Sequence, residues 1–336
     1  MKKTNACIQQ QMDSGIYPGA NWSFFTPYTR KDFLRGFAQI YPSKEGLREN
    51  MLFDLASLTK VIATTTIVLQ AWERGEIDID APFRRYYPSF QDGVVTIRHL
   101  LTHTSQINPW IENRDELSAS ELRKAFNSLQ HEEEIGKKVL YTDTGTVLLG
   151  FMIEELYQKD LISVFQEEIL NPLGMNSTFF WKVPASNAVP TELHSKRGLI
   201  RGETHDPKAF TLGIHAGSAG MFSTLNDVCT FVQKVYFDYE LLKKETIFSL
   251  IKDFTPDKKG GRSLGWDLIE GKDAAPFLFH TGFTGTFIFI DVVHQFAFVF
   301  LSNRVHPKND RAEYLESRDQ LLKVFQEELE AGAFFE

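Results

Sequence analysis

The sequence predicts an α/β (α+β) protein, an antiparallel sheet flanked by helices and built from both ends of the chain, with a mostly helical domain inserted between. Three observations predict it. Strand-like segments cluster near residues 21–40 and again at 277–302. The stretch from about 84 to 200 has helical periodicity and few strand signals. An almost wholly apolar segment from Ser57 to Trp72 leads away from the first strands, and a helix hydrophobic all round is a buried one. The expected division is a discontinuous sheet-and-helix domain of residues 1–83 and 205–336 and an inserted helical domain of residues 84–204. The cleft is expected where the two meet.

Taken in order, Asn5 to Ser14 reads as a short helix stopped by Gly15. Asn21–Thr26 and Phe33–Ile40 read as strands around the turn Pro27-Tyr28-Thr29-Arg30. The Ser57 helix follows, stopped by Gly75. Thr64, Thr65 and Thr66 are poor helix formers, so packing must hold it. In the insert, Thr96–Thr102 is a short helix. Ser118-Ala119-Ser120-Glu121 is a capping box that opens a helix ending near Leu129. Thr144–Tyr157 and Asp160–Leu170 are two more helices, the second closed by Asn171-Pro172-Leu173-Gly174. Phe277–Phe279, Thr286–Asp291 and Phe296–Ser302 return as β-rich segments. Asp310–Leu329 ends the chain as an amphipathic helix with Tyr314, Leu321, Leu322, Phe325 and Leu329 inward.

Composition narrows the function. With 336 residues, 43% hydrophobic and 24% charged, the chain is an ordinary globular one. A formal net charge of −8 argues against nucleic acid or an anionic membrane as partner. No apolar run reaches the roughly 20 residues of a membrane span. Lys2 and Lys3 precede Thr4-Asn5-Ala6-Cys7, which is no signal-peptide core, so the chain as given reads as cytoplasmic. Cys7 and Cys229 form neither a disulfide framework nor a metal motif. His99 and His103 have an i, i+4 spacing, but no further ligands accompany them. Neither metal nor cofactor is expected.

Chemistry concentrates in three places. Ser57 and Lys60 lie three apart at the first turn of the apolar helix, hence on one face. Desolvation there is expected to lower the lysine's pKa and let it accept a proton, while the helix N-terminus favours negative charge near the serine oxygen. That is an activated nucleophile. Tyr141-Thr142-Asp143 precedes the Thr144 helix, and a phenol beside an ammonium can serve as a base. His280-Thr281-Gly282, followed by Phe283, ends a strand, where glycine lets the backbone approach a ligand.

In this order the motifs resemble Ser-x-x-Lys, Tyr-x-Asn and Lys/His-Thr-Gly of the serine β-lactamase and penicillin-binding-protein superfamily. The resemblance is to its class C-like branch, which also holds esterases, D-amino-acid amidases and DD-peptidases. Flanking stretches agree over nearly the whole length, among them Tyr17-Pro18-Gly19, Leu100-Leu101-Thr102-His103-Thr104-Ser105, His205-Asp206-Pro207 and Gly217-Ser218-Ala219-Gly220. The resemblance implies a β-lactamase/transpeptidase-like fold. It makes Ser57 the nucleophile, Lys60 and Tyr141 a coupled acid–base pair, and the backbone N–H groups of Ser57 and Phe283 the oxyanion hole. Asp143, His280, Thr281 and Gly282 would bind substrate.

Two departures matter. Asp143 replaces the family's asparagine and cannot donate an amide N–H to a substrate carbonyl, though it can pair with Lys60. His280 stands where β-lactamases carry lysine, and its attraction for a carboxylate is expected to grow as pH falls. The reading is a serine hydrolase cleaving a small ester, amide or peptide through an acyl-enzyme, esterase- or peptidase-like, with weak or no β-lactamase activity. Its alternatives are an acyltransferase using the same acyl-enzyme and a non-catalytic binder of cell-wall ligands.

Overall fold

The computed structural model describes residues 1–271 and 275–332. Its centre is a seven-stranded, wholly antiparallel sheet. The chain enters through helix α1 (Lys2–Asp13) and then forms strands β1 (Gly19–Phe25), β2 (Arg30–Gln39) and β3 (Glu45–Gly46). Much later it returns with β9 (Asp267–Ile269), β10 (Phe277–Gly282), β11 (Thr286–Asp291) and β12 (Phe296–Ser302). The spatial order is β3-β2-β1-β12-β11-β10-β9, so β1 and β12, from opposite ends of the chain, lie side by side with Trp22 opposite Phe300. The expected antiparallel sheet with flanking helices is therefore the architecture.

Alternation along the strands separates two apolar layers. Phe277, Phe279, Phe287, Phe289, Phe298 and Phe300 face one side, packed with Trp22 and Phe24 against α1 and the last helix, α11 (Arg311–Glu330). On α11, Tyr314, Leu321, Leu322, Phe325 and Leu329 are all buried, as the periodicity predicts. Leu278, Ile288, Ile290, Val299 and Leu301 face the other side and join the core of the remaining helices.

That second core is built on the Ser57 segment. Val61, Ile62, Ala63, Ile67, Val68 and Leu69 are wholly buried. The segment is not one regular helix: Lys60–Thr64 is a π turn, and only Thr65–Glu73 (α2) is α-helical. The threonines supply a local reason. Thr66 Oγ1 bonds the carbonyl of Val61 at 3.0 Å, and Thr64 Oγ1 bonds that of Gly217 at 2.6 Å, drawing the backbone off the α pattern.

The stretch 84–204 carries α3 (Ile97–Leu101), α4 (Ala119–Ser128), α5 (Thr144–Tyr157), α6 (Leu161–Phe165) and α7 (Asn171–Leu173). The forecast cap forms, Ser118 accepting from Glu121 N, and Thr96 likewise accepts from His99 N. Strand signals were too short to read here. A three-stranded sheet joins β4 (Phe53–Asp54), β5 (Phe179–Phe180) and β8 (Met221–Ser223), and β6 (Leu193–His194) pairs with β7 (Gly198–Leu199). Three helices also escaped the sequence reading: α8 (Pro207–Leu212), α9 (Leu225–Val232) and α10 (Lys244–Ser249).

Candidate active site

Two strand ends and two helix starts converge on Ser57. The turn before it is tied down from several directions. Asp54, at the end of β4, accepts from Ala56 N through Oδ1 and from His205 N through Oδ2, each at 2.8 Å. Thr284 Oγ1 donates to the Asp54 carbonyl at 2.6 Å, and Thr286 Oγ1 to that of Leu55 at 3.1 Å. Gly282 is required for this seam, because a Cβ there would sit 2.4 Å from the Leu55 carbonyl oxygen. Ala56 takes a φ of 46°, a strained value for a residue with a side chain, immediately before the serine. The end of β10 is thereby fixed against the Ser57 turn.

Lys60 is the hub. Its side chain is 1% exposed, and its Nζ donates to Ser57 Oγ at 2.7 Å and to the Ser218 carbonyl at 2.8 Å. The same Nζ lies 2.7 Å from Asp143 Oδ1. Burial pulls the lysine toward neutrality as expected, but Asp143, followed by Tyr141 and Asp206, outweighs it and holds the ammonium above its ordinary pKa. The expected lowering is therefore reversed, and in the resting site Lys60 is a proton donor to Ser57. For Asp143, burial is likewise overcome by Lys60 and Lys208, which hold its carboxyl well below the usual range.

Tyr141 stands beside this pair. Lys60 Nζ is 5.6 Å from its ring centroid, the His103 ring 4.5 Å away, and the Arg262 guanidinium 5.6 Å away. Arg262 is buried, pairs with Asp267 through Nη1, and leaves Nε and Nη2 without partners. His280 lies 6.1 Å from Tyr141, ring to ring, and against Trp266.

Ser57, Tyr141, Asp143, Thr281, Gly282 and Phe283 line one cleft of about 440 Å³. His280 does not. It is 1% exposed, and its Nδ1–H donates to the Thr281 carbonyl at 3.0 Å. Burial, then Lys60 and Arg262, push its pKa well below the ordinary histidine value. The expected pH-dependent attraction for a substrate carboxylate thus has no basis, since the ring is neutral and behind the cleft wall. Two cations were missed by the sequence reading, Lys208 and Arg262. Asp206-Pro207 is a helix-start signal that places Lys208 in a first turn, but nothing in the sequence pairs it with Asp143. Among the described residues no cluster of histidine, cysteine and carboxylate side chains could hold a metal, and no helix is long and apolar enough to cross a membrane.

Comparison with known proteins agrees with this fold. An Escherichia coli O157:H7 protein with the provisional name D-alanyl-D-alanine carboxypeptidase is 28% identical, over 89% of this chain and 81% of its own. The solved structure of EstCE1, described as a hydrolase with promiscuous acyltransferase activity, superposes with a TM-score of 0.75 at 21% identity, covering 95% of this chain and 97% of its own. A class C β-lactamase gives 0.74 at 18% identity, covering 96% and 95%. At such identities the structures speak for the fold. The family model described as Beta-lactamase matches residues 4–322, and across that span the protein belongs to the β-lactamase family.

Proposed function

We propose that the protein is a serine hydrolase that cleaves a small ester, amide or peptide through an acyl-enzyme on Ser57. The observation that carries this reading is the 2.7 Å contact between Lys60 Nζ and Ser57 Oγ inside the cleft. Oγ bonds to the substrate carbonyl carbon, and its proton passes through the Lys60–Tyr141 pair to the departing alcohol or amine. Because Lys60 already carries a proton at rest, the pair must first lose one proton, from the ammonium or from the phenol, before it can take the serine's. The pair, not either residue, carries the proton inventory. The backbone N–H groups of Ser57 and Phe283 hold the developing oxyanion. Water then attacks the acyl carbon and frees Ser57. Thr281 and Gly282 hold substrate from β10, while His280 acts on Tyr141 from behind.

The E. coli relative's name supports a peptide-like substrate, and the neutral residue at 280 supports weak or no β-lactamase activity. The test is intact-mass analysis after exposure to acyl esters, D-amino-acid amides and a chromogenic cephalosporin. An acyl adduct should form on the wild type and be missing from Ser57→Ala. Turnover without any adduct that depends on Ser57 refutes the reading.

A further inference from the structure

Asp143 brings no hydrogen-bond donor to the cleft. A carboxylate only accepts, and both oxygens of this one are engaged, Oδ1 by Lys60 and Oδ2 by Lys208 at 2.9 Å. Lys208 sits in the first turn of α8, whose start is fixed by Asp206 Oδ1 accepting from Ala209 N at 2.8 Å. The other oxygen of Asp206 lies 3.0 Å from Lys208 Nζ. Two carboxylates from different elements therefore clamp one ammonium, whose side chain is only 15% exposed. Burial draws Lys208 toward neutrality, but Asp206 and Asp143 outweigh it and keep the ammonium charged. An ammonium has three N–H donors. Asp143 and Asp206 take two, and Lys208 lines the same cleft wall as Ser57, Tyr141 and Thr281.

We propose that Lys208 is the substrate's hydrogen-bond donor on the Asp143 side of the cleft. Its third N–H holds a carbonyl oxygen in the acyl half of the substrate, the job that the Asp143 carboxylate cannot do. Asp143 and Lys208 then form one device: the first fixes the second and the second donates. The substrates selected are acyl donors with a second acceptor one residue from the reacting carbonyl, as in N-acylamino acids and peptides. This rests on the acyl-enzyme reading above. The competing role, in which Lys208 acts only by charge through Asp143 on Lys60, would change the rate on every substrate alike.

The experiment compares kcat/KM for two p-nitrophenyl esters, N-acetylglycyl and pentanoyl, which match in length and differ in the amide. Lys208→Met should lower the N-acetylglycyl to pentanoyl ratio by about tenfold or more, mainly through KM, the scale of one charge-assisted hydrogen bond. Lys208→Gln, which keeps a neutral donor, should lose less of the ratio. In the double variant Asp143→Asn with Lys208→Met, the new amide should recover most of it. An unchanged ratio in Lys208→Met overturns the proposal, whatever the absolute rates do. Fluorophosphonate labelling of Ser57 separates the two failures. Full labelling with an unchanged ratio rejects Lys208 alone, whereas an unlabelled wild type rejects the acyl-enzyme and Lys208 together.

Discussion

The two sides of the sheet bury their side chains under different rules. On the α1 and α11 side, a ladder of phenylalanines is packed ring on ring. Phe325 lies 4.8 Å from Phe298 and 4.9 Å from Phe289. On the cleft side, the charged Lys60 and Arg262 are buried too, beside His103 and His280, which burial keeps neutral. Each apolar contact in the first region is replaceable by another, because dispersion and burial have no direction. In the second, each charge is tolerable only through a named partner, because desolvating an unpaired ion is costly. Substitutions in the aromatic layer are therefore expected to cost stability, and those among the paired charges to cost chemistry.

Substitutions that separate stability from chemistry sharpen this contrast. The largest effect is expected from Ser57→Ala, which should abolish turnover of an activated ester and fluorophosphonate labelling while the protein stays folded. Labelling at full stoichiometry in that variant would move the nucleophile elsewhere. Next come Lys60→Ala and Tyr141→Phe, each costing several orders of magnitude in acylation rate, with the double variant little worse. Groups that act as a unit are non-additive. Single-turnover rates that multiply would show two independent roles.

Phe325→Ala tests the other region. It should cost about 3–5 kcal/mol of stability, the usual range for emptying a buried aromatic site. Denaturant melts measure that loss, and kcat per folded molecule should not change. A fall in kcat without a fall in stability would erase the division between the two sides. The smallest change is expected from Asp143→Asn. Removing the carboxylate leaves burial as the leading influence on Lys60, so the lysine gives up its proton at lower pH than in the wild type. The acid limb of kcat/KM should move to lower pH. A limb that stays in place would put Asp143 outside the proton network.

Much of the scaffold could be read directly. Thr144–Tyr157, Thr286–Asp291 and Phe296–Ser302 have in the structure the bounds their periodicity implies. The order of the Ser57, Tyr141 and His280 motifs pointed to the family before any fold was known. Such signals are local, because a helix or strand repeats its pattern every few residues and a motif keeps its spacing. The two- and three-residue strands β4, β5 and β8 are too short to repeat anything, yet β4 leads into the Ser57 turn.

What the tertiary structure alone decided is electrostatic. Lys60 at the start of the buried helix was read as a lysine driven toward neutrality, which is the right consequence of burial taken alone. The fold then brings Asp143 to 2.7 Å, with Tyr141 and Asp206 nearby, and the sign of the shift reverses. His280 was read as facing substrate, whereas β10 turns it away and leaves it neutral between Trp266 and Tyr141. The Coulomb energy of a pair depends on separation and on the dielectric around it, and neither is a function of distance along the chain. Residue types and their order therefore determined the family and singled out Ser57 as the candidate nucleophile. Only the folded chain determined which charges meet, and hence where the protons rest.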